Sequence, residues 1–240
     1  MQQITPAPAA PFLALARGKH DSLDDGLCVM ECVAYVAGES HSDAPACACP
    51  VVAALARAIN DVTDDEGRDI LARRILQIAR SQNGTELTNA RLNRLVDQLT
   101  RVYLPGVLRS AQLPEMATGL AALAPLDTRA AQENACEAVV RLLHSRCFQV
   151  PDQSEPRTKI LRAVAFAIGP VLGALSLLLN GEPAQGVVER MGRALGGGDI
   201  RAMIALLDDL LLMGDADNGK DSLMVARLAE LPAYQARQAA

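Results

Sequence analysis

The sequence contains no tryptophan and only three phenylalanines and three tyrosines, which removes the ring platforms on which single-stranded nucleic acid usually stacks. Lysine is nearly as rare. Of 23 basic residues only Lys19, Lys159 and Lys220 are lysines, and charges of both signs are interspersed to a net of -5. No basic stripe is present to neutralise a phosphate backbone, so nucleic acid is excluded as a general partner. The preference for arginine over lysine reads as a GC-rich coding sequence and carries no functional expectation. β-Branched residues alternating with period two are scarce, which argues against a sheet. The opening MQQITPAPAAPF lacks the basic start and apolar run of an export signal. The cytoplasm is the expected compartment, and the six cysteines are expected to stay reduced there.

What is present is alanine and leucine in quantity, within an apolar fraction of 50%. That balance favours helix, and the expected fold is all-α: a multi-helix globule with a helical N-terminal domain and a C-terminal helical bundle. Three regions are expected, a loose tail over 1–17, a helical domain over 18–150 and a second helical domain over 151–240, joined through the polar stretch VPDQSEPR at 150–157. Helices are expected over 26–37, 51–59, 66–80, 85–103, 128–145, 158–179, 183–195, 199–213 and 221–231. Pro50 fits the first helical turn, Thr63 or Asp64 the cap of the next helix, and Gly38 a helix end. The 17 uncharged residues 163–179 are at the short limit for a membrane span, and Gly169, Pro170, Gly173 and Ser176 within them favour a buried helix. No membrane association is expected.

Chemistry concentrates in residues 18–61. Two of the three histidines and four of the six cysteines lie there, interleaved with Asp21, Asp24, Asp25, Glu31 and Asp43. Cys28 and Cys32 stand four apart, on one face of a helix, with Cys47 and Cys49 on the loop that follows. Tetrahedral N/S coordination would suit zinc, with His20, Cys28 and Cys47 as candidate ligands. The C-x3-C and C-x-C spacings are not those of a zinc knuckle, and the alternative is that the cysteines pack as small hydrophobes. Glu31 has Leu27, Cys28, Ala34 and Tyr35 as its helical neighbours and therefore needs a partner: His20, Arg57 or a bound cation. Unpaired, its pKa would rise and fit it for general acid or base work. Cys28 with His20 or His41 is a weaker nucleophile and base pairing.

Elsewhere, GDADNGKD at 214–221 approaches a phosphate-binding loop, but lacks the hydroxyl after the lysine and any strand before it, and reads as an Asn-Gly turn. Gly196, Gly197 and Gly198 read as a flexible connection, and His144 as a residue favouring a helix C-terminus.

The block KHDSLDDGLCVMECVAYVAGESHSDAPACACPVVAALARAIND resembles a family of helical proteins of actinobacteria and their phages, with the pattern H-x-S-x-D-x-G-x-C-V-M-E, then A-G-E, S-D-x-P-x-C and N-D. The resemblance extends over 18–148. Cys32 and Cys49 fall outside the pattern, so it implies a mixed polar cluster of His20, Cys28, Glu31, Asp43 and Cys47 rather than a four-cysteine site. It carries over no catalytic residue. The expected function is that of a non-catalytic binding protein. His20, Glu31, His41, Ser42, Asp43, Asn60 and Asp61 would form its polar site, and the C-terminal helices would extend the body or mediate self-association. The link to phages suggests a protein partner from host defence, or a small signal molecule. The alternative is a metal-assisted hydrolase, with His20, Cys28, Asp43 or Cys47 as ligands and Glu31 as base.

Overall fold

The computed structural model describes residues 13–144, 156–181, 200–214 and 222–238. No strand occurs among them, and the all-α architecture is shown. The helices are α1 (Val29–Ala37), α2 (Pro50–Val62), α3 (Asp65–Ala72), α4 (Ile75–Ile78), α5 (Thr85–Gln98), a π-helical turn (Leu99–Tyr103), α6 (Leu104–Ser110), α7 (Pro114–Ala121), α8 (Arg129–Leu143), α9 (Pro156–Leu179), α10 (Ile200–Leu212) and α11 (Ser222–Gln238). The expected helix at 183–195, the glycine tract at 196–198 and the turn at 215–221 lie outside the described residues.

Helix α1 is the centre of the molecule because it is apolar on nearly every side, and a helix without a polar face has to be surrounded. Val29, Met30, Cys32, Val33, Ala34 and Val36 are all buried. It starts at Val29 and not at residue 26, since Cys28 is extended and serves as its N-cap. It stops at Gly38, whose φ of 78° suits glycine and whose N–H returns to the carbonyls of Ala34 and Tyr35. A side chain at Gly38 would also strike the guanidinium of Arg227 on α11, which donates to the Val36 carbonyl at 3.3 Å.

Pro50 opens α2 as its spacing predicts, and Asp64 caps α3 by accepting from Gly67 N–H at 3.0 Å. The expected stop before Pro105 is not observed. Proline removes a donor from the helical ladder, and the chain absorbs this in one π turn, where the Leu104 N–H reaches back to the Leu99 carbonyl, before continuing as α6. Helix α9 runs 24 residues through Pro170. No helix among the described residues is long and apolar enough to cross a membrane.

The C-terminal helices are part of the same body. Helix α9 packs on α8 and α6, α10 on α2 and α5, and α11 on α1. Val164, Ile168 and Val171 of α9 and Met203, Leu207 and Leu210 of α10 join one buried cluster with Leu55, Ile59, Leu95 and Leu99. Packing therefore begins earlier in the chain than a tail over 1–17 implies, and it crosses the expected boundary near residue 150: Leu13 and Leu15 are both buried.

Candidate functional site

Residues 13–27 run as a strap across the start of α1 and the end of α2. The Ala16 N–H donates to the Leu27 carbonyl at 2.8 Å. Asn60, buried on α2, gives its amide to the Ala16 carbonyl at 2.9 Å and accepts from the Val29 N–H at 3.3 Å. Asp61 accepts from the Gly18 N–H at 3.0 Å, and Arg17 reaches the Thr63 carbonyl. Gly26, at φ 122°, lets the strap close on itself, because a Cβ there would stand 3.0 Å from the His20 ring.

Glu31 is wholly buried at the third position of α1. One carboxylate oxygen accepts from the Cys28 N–H at 2.7 Å and from His20 Nδ1 at 2.8 Å, and the other from the His20 N–H at 2.6 Å. Cys28 Sγ in turn accepts the Glu31 N–H at 3.5 Å, completing a capping box with cysteine in the place usually held by serine or threonine. His41 Nε2 donates to the His20 carbonyl at 2.9 Å and stands 3.8 Å from the Glu31 carboxylate.

The partner of Glu31 is thus His20 and not Arg57, which donates instead to the Asp43 carbonyl at 2.7 Å. Burial raises the Glu31 pKa, but the hydrogen bonds from the His20 and Cys28 amides and from the His20 ring outweigh it, and the carboxyl is held below its ordinary value. It is an ionised structural acceptor, which removes the general acid or base role.

The remaining expected residues serve the backbone. Ser42 Oγ accepts from the Ala44 N–H, and Asp43 lies 3.9 Å from Lys19. Glu39 accepts from the Ala46 and Cys47 amides at 2.7 and 2.8 Å. The structure brings His20, Glu31 and His41 together and sets Asn60 and Asp61 beside the strap, but does not assemble His20, Cys28 and Cys47 as a ligand set. Among the described residues no group of three or more His, Cys, Asp or Glu side chains is placed to hold a metal ion. Burial pushes the Cys28 thiol up to about 12, against the lowering by backbone N–H groups. Burial likewise pushes Cys47 to about 12, aided by the nearby Glu39 charge. Neither is an activated nucleophile or a ready thiolate ligand.

A different set of residues, given no weight in the sequence, lines a cavity of about 580 Å³ between the α3–α4–α5 region and α10. Arg73, Arg74, Arg80 and Arg91 face it together with a single carboxylate, Asp208. Arg74 grips Asp208 with both prongs, Nε and Nη2 each at 2.6 Å from a carboxylate oxygen, while Nη1 donates to the Ile70 carbonyl. Arg91 is only 1% exposed. Its Nε donates to the Leu210 carbonyl at 2.8 Å and its Nη1 to the Ser81 carbonyl. It thereby satisfies a carbonyl in the last turn of α10, where the helix dipole favours a cation. The only sequence signal for it is position: Arg91 shares a helical stripe with Thr88 and Leu95, both buried.

A second groove, about 730 Å³, runs between the π turn and α10 and is mainly apolar, with Leu99, Val102, Met203 and Leu206 in its walls.

No family model matches the chain, and no curated protein or solved structure is significantly similar to it.

Proposed function

We propose that this chain is a non-catalytic binding protein for a small anionic molecule, held in the arginine-lined cavity between α4, α5 and α10. The observation that carries the reading is the charge balance of that cavity: four guanidinium groups face one carboxylate in a chain whose net charge is -5. Structural arginines are normally matched by acidic partners, whereas an excess of cations around a concavity is matched by a ligand. The volume of about 580 Å³ falls in the ~300 to 1,000 Å³ range of small-molecule sites.

In this reading the polar block at 18–61 is scaffold. Its donors and acceptors are spent on one another, and its thiols are protonated, so it offers no reactive group to a substrate. The resemblance to phage-encoded proteins suggested two roles, occupying a defence protein or holding a small signal molecule, and the cavity supports the second.

Thermal denaturation with a panel of phosphates, sulfates and carboxylates at constant ionic strength tests the proposal. Wild type is compared with Gln77→Trp, a bulky change at an exposed lining position. A ligand at a hundred times its Kd adds ~2.7 kcal/mol, or roughly 5 to 11 °C for a chain of this size. At least one anion class is expected to stabilise wild type this way and to lose its effect in Gln77→Trp. Equal shifts in both proteins, or none in either, would contradict the reading.

A further inference from the structure

We infer that the group recognised in this cavity is a phosphate, and that the ligand is a small molecule carrying at least two of them, such as a pyrophosphate or a nucleoside diphosphate. The inference rests on the binding reading above and names its ligand class.

Three observations carry it. First, the cations are all arginines. A guanidinium presents a planar fork of donors that matches two oxygens of a phosphate at once, which an ammonium cannot do. Four forks facing one carboxylate leave several positive charges to be met, more than a monocarboxylate supplies and about what a pyrophosphate carries.

Second, Arg91 is already in place. Burial and its bonds to the Leu210 and Ser81 carbonyls fix its plane. Its Nη2 stands beside Gly214, 2.8 Å from where a Cβ on that residue would lie. A donor held this way loses little rotamer freedom on binding, which is the usual cost of using a long side chain. Glycine at 214 keeps that end of the cavity clear.

Third, no aromatic ring is among the lining residues, and the apolar wall consists of Leu211 and Leu212. A nucleobase would find no stacking partner, so the phosphates alone are read and the organic remainder of the ligand contributes little.

Isothermal titration of the full chain with pyrophosphate, citrate and a nucleoside diphosphate, at constant ionic strength, is the test. Pyrophosphate is expected to bind with micromolar Kd, the nucleoside diphosphate within about threefold of it, and citrate at least tenfold more weakly. The double variant Arg73→Gln, Arg80→Gln is expected to weaken pyrophosphate by at least thirtyfold. Should that variant fail to fold, Arg73→Gln alone, at an exposed position, is expected to cost about fivefold with an unchanged melting temperature. Citrate binding more tightly than pyrophosphate would overturn the phosphate assignment and leave the anion-binding cavity standing. Failure of every anion to bind would remove both. A nucleoside diphosphate bound more than thirtyfold tighter than pyrophosphate would overturn recognition through phosphate alone. Undiminished binding in the folded variants would place the site elsewhere and also overturn the assignment.

Discussion

Arg74 and Asp208 lie 134 positions apart in the chain and meet in a two-pronged ion pair, with both N–O distances at 2.6 Å. The pair ties the α3–α4 junction to α10 and at the same time places the only carboxylate of the cavity on one of its four cations. It is the point where stability and ligand binding pull in opposite directions.

Asp208→Asn separates them. Asp208 is partly exposed, so its loss should lower stability by only ~1 kcal/mol. Removing the competing carboxylate leaves Arg74 for the ligand, and pyrophosphate affinity should rise about three- to tenfold. Titration and thermal melts of the same variant check the two signs. Affinity that falls along with stability would mean Asp208 serves the ligand directly.

Glu31→Ala acts on the scaffold alone. It strands the Cys28 and His20 N–H groups where no water reaches them, and each buried donor without a partner costs about 1 to 3 kcal/mol. A fall of roughly 3 kcal/mol is expected, or about 6 to 12 °C in Tm, with pyrophosphate affinity of the folded fraction unchanged.

The same residue sets an acid limit. Its folded pKa lies below the ordinary 4.5, so the folded state binds fewer protons than the unfolded one between the two values. The stabilisation is full above pH 4.5 and is lost as pH falls through the folded pKa. The Tm gap between wild type and Glu31→Gln should therefore shrink as pH falls below 4.5. A gap constant from pH 7 to pH 3 would show that the carboxylate's charge is not what holds the strap.

Much of this architecture is visible in the sequence because it is local. The all-apolar run after Cys28, the glycine at 38, the proline at 50 and the cap at Asp64 each specify a helix boundary by themselves. The start of α1 was not legible in the same way, because cysteine seldom caps a helix. Placing the start two to three residues early makes Glu31 an interior residue seeking a partner, whereas at the third helical position it is half of a capping box. Only the C-x-x-E spacing of Cys28 and Glu31 hints at this. The arginine cavity was illegible for a different reason. Arg73, Arg74 and Arg80 look like solvated helix positions until α10 is laid beside them, and nothing local announces a contact spanning more than a hundred residues.

Thiol chemistry separates scaffold from site in another way. With pKa values of about 12 for Cys28 and Cys47, thiolate at pH 8 is on the order of one part in ten thousand. Iodoacetamide should leave both unlabelled in the folded protein and label them after denaturation. Rapid labelling of native Cys28 would revive a catalytic reading of the N-terminal block.

Asn60→Ala should loosen the strap without unfolding the core, because Asn60 joins the Ala16 carbonyl to the start of α1. Trypsin cleavage after Arg17 and Lys19 should accelerate at least tenfold, while the core helices stay resistant. Unchanged cleavage would show that the buried Leu13 and Leu15 hold the strap alone.

Hydrogen exchange with and without pyrophosphate compares the two parts of the molecule most directly. Slower exchange in residues 73–91 and 204–214, with none added over 16–61, is the result expected if the arginine cavity is the binding site and the polar block is scaffold. Protection centred on 16–61, or no protection anywhere, would contradict it.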